Sequence, residues 1–280
     1  MFSKIAIIGT GLLGASIGLA VRRCVPECRI VGIGRRLETL DLAQKIGAVD
    51  ETSLSIANGV KGCELVIICT PVGRIADQVL ETAQAADKSP IITDVGSTKQ
   101  AICETLEAQL PLPNGCRFLG SHPIAGSEKT GPEAASETLF DDRVVVLTPT
   151  ISTDAEMLDA LRNFWQTLGA NVVVMSPDEH DRALALTSHL PHTLSAILAT
   201  VCDHREFGTF CGTGYESMTR LAAGSPEIWG DILLSNRKAI CEALDTFVQS
   251  CGQLRAALEN DDADAVLRFL IDANLCAVKQ

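Results

Sequence analysis

The sequence predicts an α/β fold in which a mostly parallel sheet covered by helices is followed by an all-helical domain. Short β-branched runs alternate with helical stretches from Lys4 to about Ser176. After Ser176-Pro177 the β-branched runs stop and only helical spacing continues. A glycine-bearing turn joins the first run to the first helix. At roughly 100–200 residues per domain, the chain of 280 residues suits two domains, 1–176 and 177–280.

The first run, 5–9, opens an uncharged stretch from Ile5 to Val21 between Lys4 and Arg22. It falls short of the ~20 residues of a spanning helix, and glycines divide it. A buried strand, a tight turn and a buried helix account for it, and no membrane partner is expected. Further runs at 29–33, 65–69, 90–95, 118–120, 144–148 and 171–175 are separated by helical segments at 35–46, 74–85, 98–110 and 154–168. The continuously apolar Val66–Cys69 segment fits a strand covered on both faces. Residues 178–200 read as a helix that Pro191 is expected to kink. Ser225-Pro226 supplies an N-cap and a first-turn proline to one long helix carrying Ile228, Ile232, Ile240, Leu244, Phe247 and Leu254. Residues 262–278 form another. So much apolar helix surface predicts packing against a twin, as a homodimer through the helical domain.

Thirty-five acidic against 23 basic side chains give a net charge of -12, which excludes a broad basic surface and hence nucleic acid as a partner. Apolar residues make up 46% and aromatics 4%, so the core must be mostly aliphatic. Eleven cysteines without paired CxxC spacing, and no secretory leader, predict reduced thiols in a cytoplasmic protein.

Gly9-Thr10-Gly11-Leu12-Leu13-Gly14 has the GxGxxG pattern directly between strand and helix. The first glycine allows the turn, the second lets the backbone approach a pyrophosphate, and the third lets helix and strand pack. This context predicts a Rossmann-type domain binding a dinucleotide through Gly9, Gly11, Leu12, Leu13 and Gly14. At the end of the second run, where NAD enzymes place a carboxylate for the ribose, the chain reads Ile33-Gly34-Arg35-Arg36. A small residue followed by guanidiniums leaves room for a 2′-phosphate and can clamp it, so NADP is preferred and NAD is possible. One arginine suffices, and the plain alternative is that Arg36 only begins a solvated helix. Thr70-Pro71, in the loop after the third run, completes the expected cofactor contacts.

Loops at the carboxyl ends of parallel strands are where ligands bind. His122 lies on such a loop, after Phe118-Leu119-Gly120-Ser121 and before Pro123. A histidine there can take an alcohol proton while hydride leaves for the cofactor. The alternative is a satisfied structural histidine. His189 and His192 lie three apart on one helix face. Without a HExxH motif or a further nearby ligand, no metal is expected there.

The segments Gly96–Lys99 (GSTK), Ser121–Ala135 (SHPIAGSEKTGPEAA), His180–His192 (HDRALALTSHLPH) and Met218–Leu233 (MTRLAAGSPEIWGDIL) together resemble the prephenate/arogenate dehydrogenase family of tyrosine biosynthesis. The resemblance runs from Lys4 into the C-terminal helices. It implies a nucleotide-binding domain, a helical dimerisation domain and an active site between them. It also implies oxidative decarboxylation of prephenate or arogenate with hydride transfer to NAD(P)+. By the same resemblance His122 deprotonates the ring hydroxyl, Ser97 hydrogen-bonds beside it, His189 and His192 line the substrate pocket, and Arg220 pairs with a substrate carboxylate. The plain alternative for Arg220 is a surface salt bridge. Family members often carry WRDI where this chain has Trp229-Gly230-Asp231-Ile232, so a role for that second arginine has no counterpart here. His180 reads as a helix-start or interdomain residue, and His204 as solvent-exposed. A β-hydroxyacid dehydrogenase would place a lysine on the first interdomain helix, where this chain has histidines. A nucleotide sensor without chemistry would have no use for His122, Ser97 and Arg220 together.

Overall fold

A computed structural model describes residues 2–126, 129–202 and 208–278. Six strands, β1 (Lys4–Ile8), β2 (Arg29–Ile33), β3 (Glu51–Ser53), β4 (Leu65–Ile68), β5 (Ile91–Asp94) and β6 (Arg117–Phe118), pair in parallel in the spatial order β3-β2-β1-β4-β5-β6. Ile5 lies opposite Ile30 on one side and Leu65 on the other. The order reverses between β1 and β4, which opens a crevice at their carboxyl ends.

Alternate residues of each strand feed opposite layers, as the two-residue period of a strand requires. Ile5, Ile7, Leu65 and Ile67 pack beneath α1 (Leu12–Cys24) and α6 (Ala155–Thr167), in one buried cluster with Trp165 and Phe140. Ala6, Ile8, Val66 and Ile68 pack against α4 (Val72–Ala85) and α5 (Gln100–Glu107). Two shorter helices, α2 (Leu37–Lys45) and α3 (Ile56–Gly59), flank β3. Because both faces are covered, β1 and β4 need no polar side, which is why Ile5–Ile8 and Leu65–Ile68 are apolar throughout.

Two sequence expectations are corrected in this domain. The edge strand β3 has only three residues and no apolar run to announce it. The predicted strand 118–120 is two strands in two sheets. The Leu119 amide makes the last bond to the parallel sheet, donating to the Ile92 carbonyl at 3.0 Å. The Ser121 amide then donates to Asp94 Oδ1 at 3.1 Å. The chain is thereby diverted into β7 (Gly120–Pro123), which runs antiparallel to β8 (Val144–Thr148), with β9 (Asn171–Val174) parallel on its far side.

Ser176 and Glu179 form a capping box that starts α7 (Pro177–Leu184). A π turn over Ala185–His189 joins it to α8 (Leu190–Val201), with Pro191 in the first turn. The expected proline kink is thus a widened turn, which removes the need for the amide that Pro191 lacks. After α9 (Thr213–Thr219) and a 3-10 turn over Arg220–Ala223 come α10 (Pro226–Ser235), α11 (Arg237–Glu259) and α12 (Ala263–Val278). The single long helix expected from Ser225 is therefore α10 and α11, broken at Asn236 (φ -106°, ψ 25°). The break aims the Asn236 side chain inward, where it is buried. Ile232, Ile240 and Ala243 are buried, whereas Val248, Leu258, Leu267, Leu270 and Ile271 of α11 and α12 are exposed. Among the described residues no helix is long and apolar enough to cross a membrane.

Candidate active site

A cavity of about 1190 Å³ opens above the carboxyl ends of β1, β2 and β4, lined in part by Gly9, Gly11, Arg35, Arg36, Thr70 and Pro71. Gly9 has φ +96°, and a side chain there would meet the Cys69 carbonyl oxygen at 2.5 Å. A Cβ at Gly14 would sit 1.9 Å from the Gly9 carbonyl oxygen. Both positions require glycine. Gly11 precedes α1 without any side-chain cap, and the first turn of α1 has no acidic residue. The amides of the first helical turn are thus available to an anion, and the helix dipole favours one. Leu12, Leu13 and Gly14 do not line the cavity wall; they contribute backbone and helix packing. No carboxylate stands at Gly34, and neither Arg35 nor Arg36, both exposed, forms an ion pair with a described residue. These features fit a dinucleotide phosphate cradle with a cationic rim.

A second group of polar side chains is buried where the two domains meet. The Asp181 carboxylate, on α7, accepts the backbone amides of Lys99 at 2.8 Å and Gln100 at 3.0 Å, so it caps α5 from across the domain boundary. It also contacts His180 Nδ1 at 2.7 Å. His180 Nε2 lies 2.8 Å from His122 Nδ1 on β7. His122, His180 and Asp181 therefore form one continuous chain, of which only His122 was expected at the site. Their adjacency in HDR placed two polar residues at a helix start, but nothing in the sequence linked them to a strand 58 residues away. Beneath them Lys99 Nζ pairs with Asp94 and donates to the Ser121 carbonyl at 2.9 Å, with both charged side chains fully buried.

Asn236 joins His189 to this chain, and Trp229 links His189 to His192. Its Nδ2 donates to the Asp181 carbonyl at 2.7 Å and lies 3.1 Å from His189 Nδ1. His192 stacks on Trp229 with ring centroids 3.5 Å apart, and His189 meets the same indole edge-on. A side chain at Gly224 would collide with that stack, since its Cβ would lie 2.7 Å from Trp229 Nε1. Thr98 Oγ1 and Ser235 Oγ, 2.9 Å apart, tie the GSTK loop to α10, and Ser97 beside it is half-buried. Arg220 is exposed at the start of the 3-10 turn and forms no ion pair with a described residue. Gly230 faces open space, with no described atom within 4 Å of where a Cβ would sit. His204 lies outside the described residues.

Burial holds His122 well below the ordinary histidine range, with His180, Lys99 and His189 adding to the effect. Burial likewise lowers His192 and takes His189 down to about 4. The unfolded chain takes up protons near pH 6.5 that the folded protein refuses, so stability must fall as pH drops through that value. For His189 alone the loss between pH 7.5 and 5 is about 2 kcal/mol. Urea unfolding across this window is expected to show it while carboxylates remain ionised, and a flat profile would contradict the buried neutral histidines.

Model profiles of two families cover almost the whole chain: "Prephenate dehydrogenase, nucleotide-binding domain" matches residues 17–174, and "Prephenate dehydrogenase, dimerization domain" matches 176–272. The chain belongs to the prephenate dehydrogenase family. A relative from that family, the prephenate dehydrogenase of Bacillus subtilis, is 37% identical over 96% of this chain and 74% of its own length. The cyclohexadienyl dehydrogenase of Zymomonas mobilis is 33% identical over 95% of this chain and 92% of its own. Among solved structures, the Aquifex aeolicus prephenate dehydrogenase with hydroxyphenyl propionate and NAD+ superposes with a TM-score of 0.93 at 28% identity, covering 100% of this chain and 98% of that one. The Synechocystis arogenate dehydrogenase gives 0.85 at 30% identity, with 99% of both chains covered.

Proposed function

We propose that this prephenate dehydrogenase family member oxidises the ring C4 hydroxyl of prephenate or arogenate, with loss of the ring carboxylate as CO2 and aromatisation. The observation that carries the reading is His122, neutral and buried, with Nδ1 engaged by His180 and Nε2 making no hydrogen bond to a described residue. Bound NAD(P)+ supplies the hydride acceptor. His122 Nε2 receives the hydroxyl proton, Ser97 orients the hydroxyl from the GSTK loop, and the water-poor boundary between domains strengthens both interactions. His189 and His192 bind the substrate beside Trp229, and Arg220 at the rim pairs with a carboxylate. Gly9, Gly11, Leu12, Leu13 and Gly14 hold the pyrophosphate, with Thr70 and Pro71 beside it. This assigns cofactor binding to residues 1–176 and substrate binding and pairing of two copies to 177–280. The exposed apolar residues of α11 and α12 support such a homodimer.

NADP is the preferred cofactor in this reading. The absence of a carboxylate at Gly34 and the uncommitted Arg35 and Arg36 support it. A charge-assisted bond of roughly 1.5–3 kcal/mol from one of the two arginines implies that replacing both by alanine raises KM for NADP+ about 10- to 100-fold, with little change for NAD+. Steady-state formation of reduced nicotinamide from prephenate or arogenate, each with NAD+ and NADP+, tests the whole assignment. No reduced nicotinamide in any combination would refute the dehydrogenase reading, and equal losses for both cofactors in the double variant would refute the clamp.

A further inference from the structure

Five histidines occur in the chain, and four of them lie within the cluster at the domain boundary. The hydrogen-bond partners of three of them fix where the imidazole protons sit. Asp181 already accepts two backbone amides at 2.8 and 3.0 Å, so it is the acceptor toward His180 as well. Neutral His180 therefore carries its proton on Nδ1 and presents a lone pair at Nε2. That lone pair faces His122 Nδ1 at 2.8 Å, so His122 Nδ1 must donate and His122 Nε2 must be a lone pair.

The orientation of Asn236 is equally constrained. A backbone carbonyl can only accept, so the atom 2.7 Å from the Asp181 carbonyl is the amide nitrogen. The second proton of that nitrogen points to His189 Nδ1 at 3.1 Å, which must accept. His189 therefore keeps its ring proton on Nε2.

We infer that Asp181, through His180 and Asn236, holds His122 and His189 in opposite neutral tautomers, so that the site presents one proton acceptor and one proton donor. His180, Asp181 and Asn236 are positioning residues for the proposed reaction. The polarity matters because a His122 with its proton on Nε2 would donate to the substrate hydroxyl and could not receive its proton. Asp181 controls both rings, one through its carboxylate and the other through its carbonyl. A shift of α7 therefore disturbs acceptor and donor together.

The inference rests on the dehydrogenase reading for its consequence, but not for its principal test. Nitrogen-15 NMR of the full chain labelled at histidine distinguishes protonated from unprotonated ring nitrogens without turnover, with single-histidine variants for assignment. Expected are a protonated Nδ1 on His122 and a protonated Nε2 on His189. The same tautomer on both rings, or rapid interchange on either, would overturn the inference whatever the enzyme's substrate proves to be.

Kinetics supply the second arm. His180→Leu is expected to lower kcat about 100-fold and to release the His122 tautomer. His180→Gln, whose side-chain oxygen can take the place of Nε2, is expected to restore the tautomer and much of the rate. Asn236→Asp converts the donor facing His189 into an acceptor, moves the His189 proton to Nδ1 and raises KM for the substrate about tenfold. Wild-type kcat in His180→Leu, or no recovery in a folded His180→Gln, would overturn the relay from Asp181 to His122.

Discussion

Replacing His122 by asparagine is expected to lower kcat about 10²- to 10⁴-fold while leaving the fold and cofactor affinity intact. The expectation follows from what the substitution preserves. Asparagine can still place a donor near His180 Nε2, where His122 Nδ1 lies at 2.8 Å, so the buried chain to Asp181 keeps its partner and no polar atom is orphaned. What asparagine cannot supply is the second ring nitrogen that receives the proton. The cofactor cradle is built on Gly9, Gly11 and Gly14 in a different loop, so the affinity for NADP+ measured by fluorescence should be unchanged. Turnover within a few-fold of wild type would remove His122 from the chemistry. A parallel loss of cofactor affinity would show instead that the residue has a structural role.

The depressed proton affinity of His122 bears on the same experiment. Its neutral form persists below pH 6.5, so protonation of this base limits kcat/KM only at still lower pH. Burial is the principal cause, and the positive charge of Lys99 acts in the same direction.

The sheet could be read from the sequence because both of its faces are covered. Ile5 to Ile8 and Leu65 to Ile68 have no solvent side to encode, and glycine at 9 and 14 is dictated by contacts that no Cβ could survive. His122 was legible from its place after an apolar run. The chain leading from it was not, because His180 and Asp181 look like an ordinary polar helix start. Their role depends on α7 docking its first turn onto α5, a contact that no local pattern specifies. Asn236 was hidden for a related reason. The apolar spacing of Ile228, Ile232 and Ile240 continues across it as though the helix were unbroken. The break is imposed by partners on α7 and in the π turn.

The buried Lys99 was legible only as the last letter of GSTK, yet its replacement should have the largest effect on stability. Lys99→Met is expected to lower the free energy of unfolding by about 3–5 kcal/mol, because it leaves Asp94 with a buried charge and no cation. Asp94 is fully buried, and among the described residues its carboxylate retains the Gly96 amide at 2.8 Å and the Ser121 amide at 3.1 Å. The Ser121 carbonyl loses the Lys99 ammonium as well. The cost comes chiefly from the stranded carboxylate and not from the attraction lost. Removing that charge in the double variant Asp94→Asn, Lys99→Met should therefore recover part of it, since no charge is left stranded and the amide oxygen still accepts one of the two backbone protons. Denaturant unfolding of the wild type, both single variants and the double variant closes the cycle. Strict additivity would mean that the two side chains are stabilised independently. A positive coupling would identify the pair as the clamp between the end of β5 and the start of β7, the strand that carries His122.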